Sequence, residues 1–152
     1  MEQIKGMLVD DEVHILRNLR TVLPWETLGV NIVGMAKNGK EALGIFHEQR
    51  PELILCDIRM PVMDGLDFVR QINKENAPCE IVMLTGYKDF EYMRSSIRSG
   101  VRDYLLKPID YDELRNVVER IVSDIRMKRL EKEKLRDIAR LTDEMISGLK
   151  KG

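Results

Sequence analysis

A chain of 152 residues has room for one ordinary domain and an appendage, but not for two full domains. Hydrophobic residues make up 43% of it while aromatics make up only 5%, so Leu, Ile, Val and Met must fill the core. The formal net charge of −1 excludes a general attraction to nucleic acid or to anionic membranes, and no apolar run approaches the roughly 20 residues of a membrane span.

Five short apolar runs follow one another along the chain: Met7-Leu8-Val9, Val30-Asn31-Ile32-Val33, Leu53-Ile54-Leu55-Cys56, Ile81-Val82-Met83-Leu84 and Tyr104-Leu105-Leu106. Each is too short for a helix and alternates little between apolar and polar, as expected of strands buried on both faces of a parallel sheet. Helical spacing fills the gaps. The stripes are Val13, Leu16, Leu19 and Leu23; Ala42, Ile45 and Phe46; Leu66, Val69 and Ile72; Phe90, Met93 and Ile97; and Leu114, Val117, Val118, Ile121 and Ile125. Pro24-Trp25, Asn38-Gly39, Pro51, Asp64-Gly65 and Gly100 punctuate the sequence where turns and caps are needed. Repeated strand–helix units of this length predict a doubly wound α/β domain, residues 1–125.

Residues 126–152 are a different kind of segment, with nine Lys/Arg against five Asp/Glu and no strand signal. Leu135, Ile138, Thr142, Met145 and Leu149 recur at alternating steps of three and four, a coiled-coil-like seam of about two heptads. One long helix is predicted from about Asp112 through the tail, which serves as a helical extension, a coiled coil or a linker to an output domain. Cys56 and Cys79 adjoin apolar runs, with neither a CxxC pair nor a nearby His. They read as buried, reduced thiols of a cytoplasmic protein, and no signal-peptide pattern opens the chain.

In an open parallel sheet, ligands bind outside the carboxyl ends of the strands. Asp10-Asp11-Glu12 follow the first run, Asp57 the third, Thr85-Gly86 the fourth and Lys107-Pro108 the fifth, whereas the second contributes nothing obvious. Taken singly, each is an ordinary residue: an Asp after a strand is usually a helix N-cap, and a lone Thr or Lys is surface polarity. Together at one sheet edge they form a site. Grouped carboxylates need a shared cation, and hard oxygen ligands suit Mg²⁺. A carboxylate can attack phosphorus and hold it as an aspartyl phosphate, with Lys107 and Thr85 neutralising and hydrogen-bonding the phosphoryl oxygens. His14 and His47 lie on helical segments without ligand spacing and read as carrying no chemistry.

Four stretches, Leu8-Val9-Asp10-Asp11-Glu12, Asp57-Ile58-Arg59-Met60-Pro61 with Met63-Asp64-Gly65, Leu84-Thr85-Gly86-Tyr87, and Asp103-Tyr104-Leu105-Leu106-Lys107-Pro108, resemble the response-regulator receiver domains of two-component signalling over roughly residues 3–125. The resemblance implies a flavodoxin-like five-stranded sheet of order 2-1-3-4-5. It makes Asp57 the phospho-acceptor and a sensor histidine kinase the donor. It also implies Mg²⁺ held by Asp10, Asp11, Asp57 and the main-chain carbonyl of Arg59. Lys107 would bind the phosphoryl oxygens and precede a cis Pro108, and Thr85 and Tyr104 would form a switch pair. Arg59 and Tyr87, each two residues past a key position, would tune the lifetime of the phosphate. Pro24-Trp25-Glu26 with Leu28-Gly29-Val30 further resembles receivers that precede AraC-type DNA-binding domains, so DNA would be reached only through an output domain absent from this chain. A homodimer is the expected assembly.

Competing readings are weaker. A Mg²⁺-dependent phosphatase with an Asp nucleophile needs an Asp-x-Asp motif and a cap insertion, and a nucleotide-binding protein needs a GxGxxG or GxxxxGK[ST] loop. None is present. A phosphorylation-independent dimerisation module conflicts with the intact set Asp10, Asp11, Asp57, Thr85 and Lys107.

Overall fold

A computed structural model describes residues 2–96 and 100–151. Five parallel strands, β1 (Ile4–Val9), β2 (Val30–Ala36), β3 (Leu53–Asp57), β4 (Glu80–Thr85) and β5 (Asp103–Leu106), form one sheet in the order β2-β1-β3-β4-β5. Helices α1 (Val13–Val22), α2 (Trp25–Leu28), α3 (Gly39–Gln49), α4 (Gly65–Lys74), α5 (Phe90–Ser96) and α6 (Tyr111–Lys151) connect and extend them. The order is the one implied by the resemblance, with the strand-order reversal between β1 and β3.

The central strand shows why this sequence makes a two-sided sheet. All five residues of β3 are buried. Leu53 and Leu55 join the apolar cluster under α1, α2 and α6, whereas Ile54 and Cys56 join the opposite one under α3, α4 and α5. The period of two survives, but both faces are apolar, and each fully buried Leu or Ile adds about 1.5–3 kcal/mol of transfer free energy. The amphipathic helices then cover both sides with Leu16 and Leu19 of α1, Ala42 and Phe46 of α3, Leu66, Val69 and Ile72 of α4, and Leu114, Val118 and Ile121 of α6.

Several expectations need correction. Val13 is exposed, and the buried stripe of α1 begins at Leu16. Cys79 is only partly buried, while Cys56 is buried, and both thiols are free. Ile97 lies outside the described residues. The long C-terminal helix is found as expected, running as one 41-residue element from Tyr111 to Lys151.

Trp25 ties the first crossover to that helix. Its Nε1 donates to the Leu19 carbonyl at 2.9 Å, and its ring lies in the cluster shared with Ile121, Val122 and Ile125. Gly29 caps α2 at φ +89°, a left-handed conformation that favours glycine, and the Arg126 guanidinium of α6 lies over it.

Candidate functional site

The carboxyl ends of β1, β3, β4 and β5 bring the predicted residues to one crevice. Asp10 follows β1 directly and is buried; its Oδ1 accepts the Glu12 backbone N–H at 2.9 Å. Asp57 closes β3, is also buried, and accepts the Ile58 N–H at 2.9 Å. Lys107 reaches across from the end of β5. Its ammonium Nζ stands 3.0 Å from Asp10 Oδ2 and 3.2 Å from Asp57 Oδ1, joining the two carboxylates. The Lys107 backbone N–H donates to the Thr85 carbonyl at 2.8 Å, which fixes where the side chain starts. The Lys107–Pro108 bond is cis.

The loop after Asp57 is folded tightly against it. Gly65 opens α4 with its N–H on the Ile58 carbonyl at 2.8 Å, and a Cβ at this position would lie 2.1 Å from the Asp57 carbonyl oxygen. Asp64 caps the same helix through the Asp67 N–H at 2.9 Å.

Burial and like charge set the electrostatics of the site. Burial and then the nearby Asp10 charge push the Asp57 carboxyl up to about 6, although Lys107 and the Ile58 N–H pull the other way. Burial disfavours the Lys107 charge, yet its hydrogen bond to Asp10 and the charges of Asp57 and Asp10 outweigh this and hold its ammonium above its usual range. The carboxylate oxygens of Asp10, Asp11 and Glu12 can all lie within 4.8 Å of one another. Buried and exposed hard oxygen donors at one mouth, with Asp57 raised by a neighbouring negative charge, suit a small divalent cation. Asp57 is not part of that close group. It stands beside it, linked through Lys107.

The switch residues occupy a defined arrangement. Thr85 is the last residue of β4 rather than the residue after it, is buried, and gives its hydroxyl proton to the Gly86 carbonyl at 3.0 Å, not to Asp57. Tyr104 is 44% exposed, with its ring 4.8 Å from that of Phe90. The Arg59 side chain extends to Asp89, Nε to Oδ1 at 2.7 Å, linking the loop after β3 to the 3₁₀ turn Tyr87–Asp89. Nothing in the spacing marks Asp89 as that partner. Tyr87 is 85% exposed.

A family model described as the response regulator receiver domain matches residues 7–119. The chain belongs to the response-regulator receiver family. This receiver is 30% identical over 143 residues to the transcriptional regulatory protein YesN of Bacillus subtilis, covering 94% of this chain and 39% of that protein. It is 39% identical over 118 residues to the transcriptional regulatory protein HptR of Staphylococcus aureus, covering 78% and 46%. The receiver thus spans less than half the length of these curated relatives. Among solved structures it resembles the receiver domain of AraT, a response regulator from Geobacillus stearothermophilus, with a TM-score of 0.78 and 32% identity over 83% of this chain and 98% of that one. An AraC-type two-component transcriptional regulator from Clostridium phytofermentans gives 0.77 and 28% over 84% and 98%. The phosphatase, nucleotide-binding and purely structural readings are not favoured by these matches. No helix among the described residues is long and apolar enough to cross a membrane.

Proposed function

We propose that this receiver takes a phosphoryl group on Asp57 from a phosphohistidine of a sensor histidine kinase in the cytoplasm, acts as a homodimer, and passes the change to a transcriptional output domain. The observation that carries the reading is the Lys107 ammonium joining Asp10 and Asp57 at the sheet edge. Mg²⁺ held by Asp10, Asp11, Asp57 and the Arg59 carbonyl would supply the remaining charge neutralisation. An Asp57 carboxylate oxygen attacks phosphorus, the P–N bond breaks, and the imidazole leaves with the electron pair and gains a proton. Lys107 is placed to hold an equatorial phosphoryl oxygen, and Thr85 to hydrogen-bond another once its hydroxyl turns from Gly86. That turn vacates space for Tyr104 to move inward, so the α5–β5–α6 face changes its preferred partner. The only reactions assigned to the receiver are its own phosphorylation and slow hydrolysis of that phosphate.

Intact-protein mass after incubation with acetyl phosphate and Mg²⁺ tests this. Wild type should gain about 80 Da, one phosphoryl group, and Asp57→Ala should gain nothing. A wild type that gains no mass at any Mg²⁺ concentration would defeat the reading.

A further inference from the structure

One large surface of this receiver has no role in phosphoryl transfer: the far part of α6. Residues 131–149 are all exposed, and Leu135, Ile138, Leu141, Met145, Ile146 and Leu149 are between 46% and 80% exposed. Thr142 sits among them with its hydroxyl donated to the Ile138 carbonyl at 2.9 Å, so its polar atom is satisfied within its own helix and its methyl is left to pack. Together the six apolar side chains show roughly 650 Å² per chain, more than the few hundred Å² a soluble monomer usually leaves contiguous. Pairing two such stripes would remove at most roughly 1,300 Å², at the lower end of the range of stable interfaces.

We propose that this stripe is the seam of a parallel, two-stranded coiled coil with a second copy of the chain, in register from Leu135 to Leu149 and formed without phosphorylation. The proposal deepens the homodimer reading above and does not depend on chemistry at Asp57. In heptad terms Leu135, Thr142 and Leu149 take the a positions, with Ile138 and Met145 at d. The flanking positions decide the orientation. In a parallel pair, each g residue faces the following e residue of the partner helix. Lys134 then faces Ala139, without like-charge repulsion, and Leu141 faces Ile146, which widens the apolar contact. Arg136, Asp137, Arg140, Asp143 and Glu144 stay on the outer faces. Antiparallel packing is worse in both of its nearby registers: one sets Leu149 against Glu131, and the other sets Leu135 against Gly152.

The base of the helix explains where the seam starts. One heptad earlier the a and d positions are Lys128 and Glu131, which would oppose their own kind. Lys128 instead reaches Glu80 at 3.5 Å, and Arg129 pairs with Glu52 and donates to the Glu2 carbonyl at 3.2 Å, tying this turn to the receiver body. At about 100° per residue, the seam lies roughly a third of a turn from the face that Leu114, Val118, Ile121 and Ile125 bury against the sheet. Nearer the body this side carries Arg120 and Asp124, which pair with Asp103 and Arg102 at the β5 edge. Along residues 131–149 every residue is exposed, so a second helix can approach the seam there.

The test is sedimentation equilibrium of the unphosphorylated 152-residue protein at tens of micromolar, for wild type and for Ile138→Asp/Met145→Asp. Wild type should be dimeric. The double variant should dissociate at least 100-fold more readily while Trp25 emission, which reports the folded body, stays unchanged. Leu149→Cys in a Cys79→Ser background should oxidise to a covalent dimer, because only a parallel pair brings position 149 beside its equivalent. A monomeric wild type, or a double variant that stays dimeric, overturns the proposal. So does a dimer in which Leu149→Cys fails to cross-link, since the helices are then not parallel. Mass gain at Asp57 is read on the same samples. Its absence beside an intact tail dimer defeats the phosphorylation reading alone.

Discussion

Replacing Asp57 by Asn should stabilise the metal-free receiver at neutral pH. The folded protein holds the Asp57 carboxyl at about 6, against an ordinary value near 3.8, because burial and the Asp10 charge outweigh the help from Lys107 and the Ile58 N–H. A carboxyl raised on folding binds its proton more tightly in the native state, so stability falls as pH rises from about 3.8 to about 6 and the penalty is complete above that. The full displacement corresponds to roughly 3 kcal/mol. Asp11 at the same mouth is exposed, so solvent screening should reduce this to about 1–2 kcal/mol. Asn keeps an oxygen that can accept the Ile58 N–H and a Lys107 proton but carries no charge, so it removes the penalty at little cost in hydrogen bonding. In chelator at pH 7.5, Asp57→Asn should melt roughly 3–6 °C above wild type. The gap should close toward pH 4, where Asp57 is protonated in the folded state. Added Mg²⁺ should then raise wild type more than the variant, since the cation is stabilised by the charge that the substitution removes. Equal melting temperatures at pH 7.5, or a gap that persists at pH 4, would refute the electrostatic argument.

Three further outcomes follow from the loops around the site. Val62 is a β-branched residue at φ +71° and 79% exposed, so Val62→Gly should raise stability by about 1 kcal/mol in thermal melts without changing phosphorylation by acetyl phosphate. Gly65→Ala should cost about 2 kcal/mol or more and slow phosphorylation, because its Cβ meets the Asp57 main chain rather than a movable side chain; a variant as stable and as fast as wild type would show that the loop gives way freely. Arg59→Ala and Asp89→Ala should each shorten the half-life of the phosphate, and by similar factors, since the pair holds Arg59 beside the site. An ion pair with one exposed partner is worth at most about 1 kcal/mol, so the change should not exceed roughly fivefold. Tyr87, expected from the resemblance to tune the same lifetime, is 85% exposed, so Tyr87→Ala should change the decay less than Arg59→Ala.

What the sequence revealed and what it concealed differ in range. Leu53 to Asp57 is legible because five adjacent residues carry both the strand and the group that sits at its end, and the same holds for Val9-Asp10 and Leu106-Lys107. A parallel sheet aligns those ends, so neighbours in the chain become neighbours in the site. Contacts between distant segments leave no such trace. Arg59 and Asp89 are 30 residues apart, and Arg129 and Glu52 are 77 apart; each is an ordinary charge until the fold joins them. Backbone strain is equally silent at Val62, where a β-branched residue occupies a conformation that usually advertises itself through Gly or Asn. The helices show a third limit. Spacing of three and four places Leu66, Val69 and Ile72 in the core, yet the same spacing in Leu135, Ile138 and Met145 leaves them in solvent. Periodicity states that a face wants cover. In α4 the sheet supplies it, whereas α6 has left the sheet behind at Arg129 and no described residue covers its last five turns.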